Sequence, residues 1–217
     1  MSIKFHLSDD LLLRYSSGNL DEASSLLVAS HLALCPTCRA RNASADSLGG
    51  FILDSLPEAP VPQNMMDTVL ARVRREGTPA APAPRTTSAS AVIPEPLRSY
   101  VGGDVQDLKW ILLAPRVHQI RINTPGSRAN ARLLRFQSGL SVPAHSHGGR
   151  ELTLVLTGSL CDRDAILCRG DIAETDEQTE HQPHAGPGED CICLAVTDAP
   201  LRFKSMFARL LQPLFGI

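Results

Sequence analysis

Residues 139–158 read GLSVPAHSHGGRELTLVLTG. His145 and His147 are separated by one residue, so on a β-strand both side chains point to the same face. Glu151 stands at the start of the next strand-like run, and His181 follows after Gly170-Asp171 and a further turn. Three imidazoles and a carboxylate converging inside a small barrel make a cage for a divalent metal ion. His184, in the HQPH stretch, competes with His181 for the last place. Zinc held by all four groups would have no vacant tetrahedral position. Six-coordinate iron, manganese or nickel would keep two positions open for a substrate or oxygen.

Outward from this stretch the chain reads as β-rich. Val117–Ile122, Ala131–Phe136, Leu152–Leu156 and Cys191–Val196 are candidate strands, joined by shorter ones at Trp110–Leu113 and Ala165–Leu167. Many short strands with regular turns suggest a sandwich or barrel. After Pro200 the period changes: Phe203, Met206, Phe207, Leu210 and Leu214 recur at helical spacing. Cys191 and Cys193 share one strand face and read as buried strand cysteines.

Upstream, residues 77–99 contain five of the 16 prolines among many Ala, Ser and Thr, which favours an extended linker. It separates a piece over residues 1–76 from one over 100–217. The first piece reads as helical. Ser8 can cap a helix with Leu11, Leu12 and Tyr15 inside and Gly18 as its stop. Asp21 and Glu22 open a second helix, in which Ala23, Leu26, Leu27, Ser30, His31 and Leu34 share a face. Pro36 ends it and starts a third. Met66, Val69, Leu70 and Val73 mark a fourth.

The second helix ends in HLALCPTC, residues 31–38. His31, Cys35 and Cys38 lie one and two helical turns apart, so a helix end and the turn after it can point all three inward. His6 can supply a fourth ligand. Two imidazoles and two thiolates make a closed tetrahedral zinc site, whose thiolates neutralise the dication. A thioredoxin-like use of the Cys-x-x-Cys would need a βαβ pattern that is missing here.

A formal net charge of −2 carries no electrostatic footprint for nucleic acid. No apolar run is long enough to span a bilayer, and the N-terminus lacks the pattern of an export signal, so the cytoplasm is the expected compartment. The expected fold is α+β multidomain: a small all-α zinc-binding domain, the linker, then an all-β barrel with a terminal helix.

The spacing Gly139, His145-x-His147, Glu151, Gly158 is similar to the first cupin motif. Gly170 and His181 fit the second, whose Pro, intervening Gly and terminal Asn are missing. His31, Cys35 and Cys38 with the upstream His6 resemble the zinc-containing anti-sigma domain. The two in this order resemble the ChrR family of anti-sigma factors over essentially the whole chain, and the tail LRFKSMFARLLQPLFGI is similar to that family's C-terminus. The resemblance implies a jelly-roll-like cupin, with zinc in the helical domain and a second divalent metal, again zinc, in the barrel. It implies His181 as the last cupin ligand. It also implies inhibition of an extracytoplasmic-function (group IV) sigma factor, released under singlet oxygen or related oxidants, with the helical domain sufficient for binding and the cupin needed for the response. The competing reading is a metal-dependent cupin dioxygenase or isomerase. It lacks a second acid/base or nucleophile constellation beside the cage.

Overall fold

The structure, a computed structural model, describes residues 2–77 and 91–203. Five helices, α1 (Asp9–Ser16), α2 (Glu22–Leu34), α3 (Pro36–Asp54), α4 (Met65–Glu76) and α5 (Glu95–Val101), precede twelve strands. These are β1 (Ile111–Ala114), β2 (Val117–Ile122), β3 (Asn130–Phe136), β4 (His145–His147), β5 (Glu151–Thr157), β6 (Ser159–Asp162), β7 (Ala165–Cys168), β8 (Ile172–Thr175), β9 (Glu180–His181), β10 (His184–Ala185), β11 (Cys191–Thr197) and β12 (Leu201–Phe203). The helix starts follow local chemistry. The Ser8 hydroxyl accepts from the Leu11 N–H, the Asp21 carboxylate accepts from the Ser24 N–H, and Pro36 occupies the first turn of α3.

The strands form a six-stranded antiparallel sheet in the order β1-β2-β3-β11-β5-β8, facing two three-stranded sheets, β10-β6-β7 and β12-β4-β9. Pairing of Leu194 with both Leu133 and Leu154 sets the register of the three central strands. Along β5 and β11 the alternation divides two apolar faces. Leu152, Leu154, Leu156, Ile192, Leu194 and Val196 join the core shared with the helices, whereas Val155 and Cys191 join a second core inside the barrel. Burial on both faces explains why these strands read as nearly continuous apolar runs.

The cover on the outer face is α2. Its spacing suggests a single buried face, yet Val28 and Leu32 are buried along with Ala23, Leu26, Leu27 and His31. The helix lies between α1, α3 and α5 on one side and β3, β5 and β11 on the other. The two pieces of the chain therefore share one hydrophobic core. The boundary at residue 99 also shifts, because α5 begins inside the segment read as linker and Ile93 and Leu97 are fully buried. Asp104 accepts from the N–H groups of Val92 and Ile93, which fixes the chain before Pro94 and Pro96 start the helix. Composition could not separate a proline that keeps a linker extended from one that opens a helix. The helix expected after Pro200 falls on residues 204–217, outside the described residues; Phe203 ends β12.

A shared core predicts shared unfolding. Leu27→Ala should cost about 2–5 kcal/mol. In urea, helical circular dichroism and the fluorescence of Trp110, which packs on the same core, should shift to a lower midpoint together.

Candidate metal centres

The first centre forms where the N-terminal segment meets the α2–α3 corner. Cys35 ends α2 in an extended conformation and its sulfur accepts from the Cys38 N–H, so the two thiols face the same side. His6 Nδ1 lies 3.3 Å from Cys35 Sγ and 3.6 Å from Cys38 Sγ. With His31, one donor atom from each of the four residues falls within 4.8 Å of all the others. Metal–ligand bonds of about 2.0–2.3 Å place tetrahedral ligand atoms roughly 3.3–3.8 Å apart, so this set fits a small cation. His31 is fully buried, and neither ring nitrogen makes a hydrogen bond of good geometry. Burial pulls its pKa down to about 4, although the Gly170 carbonyl beside the ring acts in the opposite direction. Burial pushes the Cys38 thiol up, and the adjacent Cys35 adds to this. An orphaned imidazole and two crowded thiols fit a bound cation that takes both lone pairs and negative charge.

The second centre lies inside the barrel. β4 pairs with β9, so His145 and His147 on one strand meet His181 on the other. Nε2 of His181 is 3.0 Å from Nε2 of both His145 and His147. Outer partners orient the rings: His145 Nδ1 is 2.8 Å from the Pro143 carbonyl, and His181 Nδ1 is 2.7 Å from Asp162 Oδ2. A carbonyl accepts only, so His145 Nδ1 carries the proton. The Asp162 carboxylate holds the proton of His181 on Nδ1 in the same way. Both Nε2 lone pairs therefore face each other at 3.0 Å, an arrangement that a cation relieves. Burial, with His181 nearby, keeps His145 below its ordinary pKa.

Glu151 is not part of the converging triad among the described residues. Its Oε2 lies 3.4 Å from His147 Nδ1, and its Oε1 accepts from the Thr153 hydroxyl. The carboxylate does line the same pocket as His145, His181 and Cys193. His184 is exposed, pairs from β10 with Cys161 of β6, and is not part of the triad. Asp162 had no signal in the sequence, because its partner comes from a strand that local spacing does not connect to it.

Residues 99–200 match the family model described as the ChrR cupin-like domain. The chain is 44% identical to the anti-sigma-E factor ChrR of Cereibacter sphaeroides, over 100% of both chains. It also superposes with a TM-score of 0.77 on a chain of the crystal structure of Rhodobacter sphaeroides SigE in complex with the anti-sigma ChrR. That match is 41% identical and covers 91% of this chain and 100% of the other.

Two outcomes test the centres. Asp162→Asn should weaken metal retention in the barrel by about 10–100-fold, measured by competition with a chelator. For His31, a folded pKa of about 4 against 6.5 unfolded means that the unfolded chain binds more protons between those values. Stability of the metal-free protein should fall as pH drops from 6.5 to 4, by about 3 kcal/mol, read from urea midpoints.

Proposed function

Because the chain belongs to the ChrR family of anti-sigma factors, we propose that its helical part, residues 1–76, captures an extracytoplasmic-function sigma factor and keeps it from RNA polymerase. The observation that carries this reading is an unbroken exposed stretch. Every residue from Asp46 to Gly77 is exposed, and the stretch includes Leu48, Phe51 and Ile52 on the last turns of α3 and Leu56 just past its end. On α4, Met66, Val69, Leu70 and Val73 form an apolar stripe at helical spacing, all exposed, beside Arg72, Arg74 and Arg75. Two successive helices with bare apolar faces are a docking surface for a partner, in the manner of a helix laid into a hydrophobic groove. Phe51 is 73% exposed and Met66 69%, so these side chains add little to the free protein's own core.

His6, His31, Cys35 and Cys38 would hold zinc in the helical part. His145, His147 and His181 would hold a divalent ion, zinc again, in the barrel domain, residues 100–217, and Glu151, which lines the same pocket, would turn its carboxylate inward as the fourth ligand once the ion binds. Zinc in the first site would supply folding free energy at the α2–α3 corner. The Cys35 and Cys38 thiols require a reducing compartment, which agrees with a cytoplasmic partner. Among the described residues no helix is long and apolar enough to cross a membrane. The barrel would sense singlet oxygen or a related oxidant, since imidazoles are readily attacked by it and three of them crowd at one point. Family membership favours regulation over catalysis, so the barrel acts as a receiver for a signal rather than as an enzyme.

In the full chain, Val73→Asp should weaken sigma-factor binding about 30-fold or more while leaving the thermal transition unchanged, because Val73 makes no core contact. Cys38→Ser should lose both metal and binding. His147→Ala should keep repression of a sigma-dependent reporter and lose its induction under photosensitised light; normal induction in that variant would remove the cage from the sensing role.

A further inference from the structure

Three residues, Arg169, Gly170 and Asp171, make the turn between β7 and β8, and each holds a different part of the helical half. Asp171 is almost fully buried. Its Oδ1 accepts from the N–H groups of Lys4 at 2.6 Å and Phe5 at 3.0 Å, and its Oδ2 accepts from the Cys168 N–H. The Ile172 N–H donates to the Phe5 carbonyl, so the segment before His6 lies along the edge of β8. Two residues further on, Glu174 accepts from the Ser8 N–H and the Ser8 hydroxyl, at 2.8 and 3.0 Å. His6 is thus pinned from both sides by carboxylates of the barrel.

Gly170 has φ +89°, and a Cβ there would sit 2.5 Å from Ile3 Cδ1. The left-handed φ favours glycine at this turn, and an added Cβ would push the Ile3 side chain aside. A Cβ at Gly170 would also lie 3.8 Å from Leu34 Cβ, at the end of α2. Arg169 donates to the carbonyls of Ala91 and Val92, which fixes the chain entering α5, and to that of Leu156. The same turn is tied to β5, because Gly170 donates to Val155 and Val155 donates to Asp171. Glu151, at the start of β5, pairs with Thr175 of β8.

We propose that this barrel turn, with Asp171 at its centre and Glu174 beside it, positions His6, so that the barrel sets how tightly the Cys/His centre holds its metal. The inference rests on the assignment of that centre as a metal site. These carboxylates are positioning residues: they touch no ligand atom, and they act through the backbone on either side of His6. The segment that carries His6 forms no helix or strand of its own, so these contacts, with Ile3 and Leu7 on the core, hold it in place.

The test uses the full chain loaded with cobalt(II). Thiolate-to-cobalt charge-transfer absorption reports only the Cys/His centre, since the barrel triad offers no thiolate. In Asp171→Asn, a chelator should strip that signal about 10-fold faster or more than in wild type. Gly170→Ala should do the same by displacing Ile3. Amide exchange at Lys4 and Phe5 should rise in both. Faster Lys4 and Phe5 exchange with a wild-type rate of cobalt loss would overturn the proposal. If Asp171→Asn and Gly170→Ala fail to fold by Trp110 fluorescence, Glu174→Gln decides: loss about 3-fold faster supports the proposal, and an unchanged rate overturns it. Sigma-factor binding is measured on the same wild-type sample. A chain that binds no sigma factor would remove the anti-sigma reading but leave the comparison of cobalt loss intact.

Discussion

The burial of the outer face of the six-stranded sheet by α2 is the contact on which the other features rest. Leu154 and Leu194 on the sheet and Leu27 and Val28 on the helix are all fully buried. Each leucine taken out of water contributes about 1.5–3 kcal/mol. Without α2 the central strands would present a row of leucine and isoleucine to solvent. Without the sheet, a helix that is apolar nearly all round would have no partner for its second side. The same helix delivers His31 and Cys35 at its C-terminal end. At its N-terminal end Asp21 caps the helix and also accepts from the Ala129 N–H of the barrel. Burial would raise the Asp21 pKa, but the Ala129 and Ser24 donors outweigh it and hold the carboxylate below its usual range. One helix therefore joins metal donors, core and cap.

The two centres differ in chemistry because they lie on opposite sides of one sheet. Outside it, two thiols and two imidazoles form a closed set at a helix corner, which suits a structural ion. Inside it, His145 and His181, with His147 against them, line a pocket whose other walls are mainly apolar and include Cys193, Thr153 and Glu151. Alternation along β5 keeps the sides apart: Leu152 and Leu154 face the helices, and Glu151 and Thr153 face the barrel. The strand that carries Glu151 on one face supports the helical half on the other.

Against this tightly joined body, the stretch from Asp46 to Gly77 stands out as apolar surface without cover. A specific interface buries about 1,600 Å² in total, and two helices of this length can supply one side of it. The free chain keeps its stability in the core around α2. It keeps its binding surface where loss of that surface costs the core little.

Local chemistry settled a good deal from the sequence alone. Ser8, Asp21 and Pro36 mark helix starts because caps and first-turn prolines act on their own neighbours. His31, Cys35 and Cys38 share a side because of the helical period, and His145 and His147 share one because of the strand period. Val117–Ile122 is a strand in both the sequence reading and the structure. What lay beyond the sequence depends on residues distant in the chain. Val28 and Leu32 are buried because α5 and the sheet, formed from residues more than 60 positions later, also pack on α2. Asp162 orients His181, and Glu151 stands beside His147 rather than within the triad, because the barrel closes as it does. Asp171 meets Lys4 across a separation of 167 residues. No window of sequence carries such a contact, since its free energy exists only once the core that brings the two ends together has formed.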